Sequence, residues 1–201
     1  ERVGMVKKLT EWVFLHACEQ VVEWQKLGMS ELQVSINISP NHFLDKSLLT
    51  LLKDVLLKTG IRAESIKLEV TETVVQTSEN NLSVFQDLKK MGVEISIDDF
   101  GTGYSSLASL KHLSVDCLKI DKQFTDDILK DKAAINLMSS IIDMGHNLGC
   151  RVVVEGVETR EQLMVIKTLE GDYVQGNIFS KALPAEKLTE FFESFSAINN
   201  E

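Results

Sequence analysis

The chain has 201 residues, of which 44% are hydrophobic, and it carries a formal net charge of −9. The length fits one domain with a sizeable core, and the acidic balance argues against general affinity for DNA, RNA or membranes through a basic surface. A phosphate-bearing ligand remains compatible with this charge, because a carboxylate cluster that holds divalent cations becomes a phosphate site.

Hydrophobic periodicity predicts alternating helices and strands along the chain. The first helix, over 11–27, carries Trp12, Leu15, Val22 and Leu27 at helical spacing. The elements that follow are strand 33–39, helix 44–58, strand 65–72, helix 78–91, a strand from 94, a short helix 105–112, strand 116–122, helix 133–148, strand 151–157, a helix from 159, strand 172–175 and a helix over 184–195. This alternation predicts a parallel sheet with helices outside it.

The six predicted strands are two fewer than a closed (β/α)8 barrel needs, and such barrels typically take about 250 residues. We therefore expect an α/β fold built as a TIM barrel that lacks its first two strands. The missing pair should lie upstream of Glu1. The chain also begins without an initiator Met, which is typical of a piece excised from a longer protein.

Two adjacent acids, Asp98 and Asp99, stand where the strand that begins at 94 is expected to meet a loop, and Gly101 and Gly103 follow them. One interpretation is an ordinary turn, since Asp and Gly dominate turns. The other is a functional pair, because two buried carboxylates tolerate each other only when they share a proton or a cation neutralises them. The ends of the other strands favour the functional interpretation.

Each of the other predicted strands ends on or near a polar residue that can bind a metal or a phosphate. These residues are Asn37, Glu69, Lys119 with Asp121, Glu155 with Glu158 nearby, and Gln175. The carboxyl ends of parallel strands meet at one face of a barrel, where barrel enzymes place their chemistry. Oxygen ligands without Cys or His suit Mg²⁺ or Mn²⁺ better than zinc.

Six ordered motifs resemble those of the EAL-domain family of bacterial cyclic di-GMP phosphodiesterases. They are NIS at 37–39, LEVTE at 68–72, IDDFGTGYSSL at 97–107, LKID at 118–121, VVEGVET at 153–159 and QGN at 175–177. The resemblance implies a modified TIM barrel with one antiparallel strand. We expect residues 1–201 to be one EAL domain that lacks its first strand and the strand that bears the Glu-Ala-Leu motif.

The resemblance also implies a set of metal ligands. Asn37, Glu69 and Asp98 correspond to ligands of one divalent cation, and Asp98 also bridges to a second. Asp99 and Glu155 correspond to residues that serve the second cation directly or through water. Two Mg²⁺ or Mn²⁺ ions per site are therefore expected.

Further roles follow from the same resemblance. Lys119 corresponds to the lysine that contacts the attacking water. Glu72 corresponds to the acid that steadies the loop from Phe100 to Ser106. Three residues correspond to polar positions around the ligands or the substrate: Asp121, Glu158 and Gln175.

The reaction that the resemblance implies is hydrolysis of one 3′–5′ phosphodiester bond of cyclic di-GMP, which gives linear pGpG. Two cations about 3.5–4 Å apart would activate a water and stabilise the in-line transition state. A catalytically silent cyclic di-GMP receptor and a scaffold domain without nucleotide stay open as alternatives, because the Glu-Ala-Leu glutamate lies outside this chain. A scaffold, however, has no reason to keep buried like charges.

Cysteine usage and the expected partners complete the prediction. Cys18, Cys117 and Cys150 are isolated in apolar segments, which is typical of buried thiols in a reducing compartment, and no stretch resembles a signal peptide or a membrane span. We therefore expect a cytoplasmic domain, either free or in a membrane-anchored parent. The resemblance implies a homodimer, upstream sensory or GGDEF domains and no DNA or RNA polymer as partner. This piece alone should be inactive, because an open barrel exposes two strand edges.

Overall fold

The structure, a computed structural model, describes residues 3–45, 47–76, 82–103, 110 and 113–198. Within these residues, six strands form one sheet in sequential order, and each neighbouring pair is parallel. The strands are β1 (Val34–Ile38), β2 (Ile66–Thr71), β3 (Glu94–Phe100), β4 (Cys117–Ile120), β5 (Arg151–Val154) and β6 (Tyr173–Val174). Successive βα units produce this order, so the predicted α/β class is confirmed.

Helices lie before, between and after these strands. They are α1 (Val3–Lys26), α2 (Pro40–Phe43), α3 (Ser47–Thr59), α4 (Glu72–Gln76), α5 (Leu82–Met91), α6 (Lys122–Asp126), α7 (Lys132–Asn147), α8 (Arg160–Thr168) and α9 (Ala185–Ile198). The short helix predicted at 105–112 falls largely outside the described residues, as do the first residues of the helix predicted at 78–91. No helix in the described part of the chain is long and apolar enough to cross a bilayer.

The buried face of α1 does not include all the apolar residues that lie at helical spacing in the sequence. Trp12 is 58% exposed and Leu27 is 67% exposed, whereas Phe14, Cys18 and Val21 are buried. The buried residues follow the i, i+4, i+7 spacing of a helix face, and they pack towards α3 and β1. The predicted helix is present, and the packing of α3 and β1 determines which of its apolar residues are buried.

Residue parity divides the sheet into two faces. Leu68, Ile97, Leu118 and Val152 belong to the face that packs under the helices, and all four are buried. The opposite face lines a cavity of about 910 Å³, to which it contributes Ser35, Lys67, Glu69, Ser96, Cys117, Lys119, Arg151 and Val153. Alternate residues of a strand point to opposite faces, so polar residues that are two positions apart along a strand lie on the same face.

Candidate active site

One lysine lies at the centre of an acidic cluster at the carboxyl end of the sheet. Lys119 Nζ lies 3.1 Å from Glu69 Oε1, 2.9 Å from Asp98 Oδ1 and 2.6 Å from Glu155 Oε1. These four side chains are at most 16% exposed. Because Lys119 projects from β4, it reaches acids from β2, β3 and the end of β5, and the sheet therefore assembles the cluster from separate βα units.

The cluster has more negative charge than its lysine can neutralise. Burial disfavours the charged form of Lys119, but hydrogen bonds to Glu155 and Asp98 raise the pKa of its ammonium group well above the ordinary range. Burial, together with the nearby carboxylates of Asp98 and Glu69, raises the pKa of Glu155 despite its bond to Lys119. Lysine thus stays charged while the carboxylates around it repel one another, and a further cation would relieve this repulsion.

Asp99 adds a fourth carboxylate through an irregularity in β3. The strand does not end at the acids as predicted but continues to Phe100, and its register with β4 shifts between Ile97 and Phe100. Asp99 adopts a φ of 53° at this point. A bulge lets consecutive side chains leave the strict alternation of a strand. Carboxylate oxygens of Asp98, Asp99 and Glu155 consequently lie within 4.8 Å of one another.

The donor set fits a hard divalent cation. Every acidic ligand candidate in the cluster offers carboxylate oxygens, and those of Asp98, Asp99 and Glu155 converge. Partial desolvation and the nearby carboxylates of Asp98 and Asp121 raise the pKa of Asp99, which shows the same excess of negative charge. Such a set suits Mg²⁺, Mn²⁺ or Ca²⁺ rather than a thiolate-bound metal.

A glycine-containing turn beside the cluster is held by one buried acid. Glu72 is the first residue of α4, and its Oε2 accepts hydrogen bonds from Gly101 N at 3.3 Å and Gly103 N at 3.1 Å. Gly101 has a φ of +95°, and a Cβ there would lie 2.7 Å from the ring of Phe124. The turn that follows the acids is therefore tied to both α4 and α6.

The segment after β5 is packed between its two neighbours. The Glu155 main chain bonds to the end of β4 on one side, where its N–H donates to Ile120 O at 3.0 Å. On the other side Val157 N donates to Gln175 O at 3.1 Å. Gly176 approaches so closely that a Cβ would lie 2.0 Å from Val157 O. These contacts fix the backbone that carries Glu155.

The remaining predicted site residues take different positions. Asn37 is the register partner of Glu69 on β1, and Gln175 lines the same cavity as Glu69 and Lys119. Asp121 was predicted to share a strand with Lys119, but β4 ends at Ile120 and Asp121 caps α6, accepting from Gln123 N at 2.8 Å. The strand ends there because a side-chain cap starts the helix at once.

Glu158 lies apart from the cluster. Its carboxylate pairs with Lys122 at 2.9 Å, and both side chains are about half exposed. Sequence reasoning missed Thr125, whose buried hydroxyl donates to Glu155 O at 2.6 Å. Gln162 forms a capping box with Thr159 at the start of α8. No local pattern signals the bond of Thr125, because the two residues belong to different βα units.

Comparison with known proteins places this architecture in a family. A family model described as EAL domain matches residues 1–182. The cyclic di-GMP phosphodiesterase NbdA of Pseudomonas aeruginosa is 36% identical over 97% of this chain and 25% of its own length. The chain spans about a quarter of the length of the curated relatives it matches.

Solved structures give the same result. The PaMucR phosphodiesterase in complex with c-di-GMP matches with a TM-score of 0.89 and 35% identity, over 94% of this chain and 76% of its own. Klebsiella pneumoniae BlrP1 in complex with calcium and cyclic di-GMP matches with a TM-score of 0.77 and 30% identity, over 87% and 44% of the two chains. Such domains are TIM-barrel-like, so the six parallel strands fit a barrel that lacks two, as predicted. The chain belongs to the EAL domain family.

Proposed function

We propose that this chain forms the active site of a phosphodiesterase that hydrolyses cyclic di-GMP to linear pGpG. The observation that carries the proposal is the single ammonium of Lys119 within 3.1 Å of three carboxylates at the carboxyl end of the sheet. Barrel enzymes place their chemistry at this end. NbdA is named as a cyclic di-GMP phosphodiesterase, and PaMucR was solved with c-di-GMP.

Two Mg²⁺ or Mn²⁺ ions would complete the site. Asn37, Glu69 and Asp98 would hold one ion, and Asp98 would bridge to another held by Asp99 and Glu155. Bound cations of this kind lower the pKa of water and stabilise charge on a phosphoryl group. The excess of carboxylate over ammonium supports this assignment, because buried like charges are costly without a counter-ion.

The remaining residues would act on the substrate side. Lys119 would keep its proton and donate a hydrogen bond to the attacking water, since its neighbours favour the charged form. Glu72 would hold the turn at Gly101 in place beside the scissile phosphate. Asp121 and Gln175 would orient groups around the ligands, and Glu158 would act from the rim through its pair with Lys122.

The test is product formation by the full-length protein, freed of metal and then loaded with one ion at a time. With Mg²⁺ or Mn²⁺ we expect pGpG to appear in chromatography, and with Ca²⁺ we expect bound but intact cyclic di-GMP. Ca²⁺ takes about 6–8 ligands at roughly 2.3–2.6 Å, whereas Mg²⁺ prefers octahedral geometry at about 2.0–2.1 Å. Binding without turnover in every ion would make the protein a receptor and overturn the proposal.

The 201-residue chain by itself is expected to lack turnover. In the sheet of the described residues β1 and β6 each have one strand neighbour, so the sheet has two unpaired edges. Edges of this kind bind other strands or aggregate. Full activity and a cooperative melting transition of this polypeptide alone would contradict the expectation. A homodimer and upstream sensory or GGDEF domains are further parts of the proposal, which light scattering of the full-length protein and its complete sequence would test.

A further inference from the structure

The side chain of Gln162 makes two hydrogen bonds more than its place in a capping box requires. Its side chain is buried, with the residue 8% exposed, and its Oε1 accepts from Glu158 N at 2.9 Å and from Thr159 N at 3.0 Å. The bond to Thr159 N, together with that from Gln162 N to Thr159 Oγ1, forms the capping box of α8. Its Nε2 also donates to Thr125 O at 3.2 Å, which lies on α6.

Thr125 carries this connection to the acidic cluster. Its hydroxyl is fully buried and donates to Glu155 O at 2.6 Å, while Glu155 N donates to Ile120 O at 3.0 Å. Both polar groups of the Glu155 main chain therefore bond to the segment that runs from β4 into α6. The same segment bears Lys119, whose ammonium group contacts the Glu155 carboxylate.

We propose that Gln162 is a positioning residue for Glu155, which it holds against Lys119 and Asp98 by tying α6 to the start of α8. The amide oxygen fixes the N–H groups of Glu158 and Thr159, and the amide nitrogen fixes α6, so the loop between them keeps one position. This inference rests on the proposed function in one respect, the assignment of Glu155 as a cation ligand. Groups that orient metal ligands typically contribute about 10–100-fold to metal affinity.

Gln162→Glu separates positioning from capping. Glutamate keeps a carboxylate oxygen for the two N–H groups and is itself a preferred capping-box residue. It loses the donor to Thr125 and places an oxygen against that carbonyl. We expect the full-length variant to bind Mn²⁺ about tenfold more weakly at pH 8, as measured by electron paramagnetic resonance of free Mn²⁺. Its metal-free melting temperature should fall only modestly, because Thr125 O loses its donor but the two N–H groups keep their acceptor. Gln162→Met loses all of these bonds, so it should weaken Mn²⁺ binding and lower that temperature further.

Gln123→Glu is the matched control for charge. Gln123 is exposed on α6, and the change adds the same negative charge near the cluster. Added negative charge attracts a cation, so this control should bind Mn²⁺ as tightly as the wild type or more tightly. The added charge alone would strengthen Mn²⁺ binding, so a weaker affinity of Gln162→Glu would be due to the lost contact with Thr125.

Three results would overturn the inference. Gln162→Glu could bind Mn²⁺ as the wild type does, which would leave Gln162 a helix cap only. Gln162→Glu could lose affinity only in proportion to a lowered melting temperature, which would make the effect one of stability. The wild type could bind no Mn²⁺, in which case Glu155 would not be a cation ligand. A wild type that binds Mn²⁺ but leaves cyclic di-GMP intact would defeat the proposed function alone, and the affinity comparison would stand.

Discussion

At the amino end of the sheet each of two acids has its own base and its own strand N–H group. At the carboxyl end three acids share one lysine, and a fourth lies beside them. Asp172 Oδ2 accepts from Val152 N at 2.7 Å and lies 2.9 Å from His146 Nε2. Asp116, directly before β4, is arranged in the same way. Its Oδ2 accepts from Ile95 N at 2.7 Å, and its other oxygen pairs with Lys89.

The arrangement at the amino end repeats with the βα units. In both cases the acid stands just before a strand, its N–H partner lies near the start of the preceding strand, and its base comes from the last turn of the helix before that. Each carboxylate therefore has its own hydrogen-bond donors, and these bonds stabilise the folded state. The acids at the carboxyl end do not each have a base of their own, so their mutual repulsion lowers stability until a cation binds. Removing one carboxylate should therefore change stability in opposite directions at the two ends.

The largest expected effect is on hydrolysis at the carboxyl end. Asp98→Asn should lower turnover by more than about a hundredfold, or roughly 2.7 kcal/mol of barrier, because an amide lacks the charge to bridge two divalent cations. Single-turnover cleavage of cyclic di-GMP by the full-length protein measures this effect. Asp143→Asn, on the exposed side of α7, is the control and should leave the rate unchanged. A variant at Asp98 that kept more than a tenth of the rate would remove this residue from the bridge.

The next largest effect distinguishes a role of Glu72 in holding the turn from a role as a metal ligand. Glu72→Ala should lower turnover about tenfold, near 1.4 kcal/mol, while Mn²⁺ affinity changes little. The reason is that Glu72 bonds to the N–H groups of Gly101 and Gly103, and loss of these bonds frees the turn. Glu72→Gln keeps an acceptor and should retain most of the activity. Parallel losses of metal affinity and rate would make Glu72 a direct ligand instead.

At the amino end, Asp172→Ala should destabilise the protein by about 1–3 kcal/mol, because the Val152 N–H loses its partner. Partial burial opposes ionisation, but bonds from Val152 and His146 hold the pKa of Asp172 below its ordinary value. Because the pKa of Asp172 is lowered in the folded state, its ionised side chain contributes stability above the ordinary Asp pKa near 3.9. This stability is lost as the pH falls through the lowered pKa. Melting curves of wild type and variant should therefore differ at pH 7 and converge in strong acid. A constant difference would exclude the charge as its source.

The smallest effect has the opposite sign. Glu155→Gln should leave the metal-free protein as stable as the wild type or raise its melting temperature by about 2–4 °C, the shift that 1 kcal/mol gives a domain of this size. The reason is that one carboxylate fewer then competes for Lys119. Saturating Mn²⁺ should reverse the order, because the wild type binds the ion more tightly. Destabilisation of the metal-free variant as large as that of Asp172→Ala would erase the difference between the two ends.

The sequence predicted those features that local periodicity controls. The parity of β2 and β4 placed Glu69 and Lys119 on one face, because alternation along a strand needs no tertiary information. The bulge at Asp99 was not predicted, since no residue type there demands a positive φ. Contacts between separate units, such as that of Gln162 with Thr125, depend on packing that no window along the chain records.

Gly176 sets a limit on how this chain can vary. Every other amino acid at that position would bring its first side-chain carbon to about 2.0 Å from Val157 O, and hydrogen bonds to Gln175 O and from Ile178 N hold that backbone in place. At Gly60 an added Cβ meets nothing within 4 Å, and the constraint is only a φ of +69°, which Asn or Asp adopts at modest strain. In a saturation library selected for turnover, position 60 should therefore accept a few replacements, while position 176 should return glycine alone.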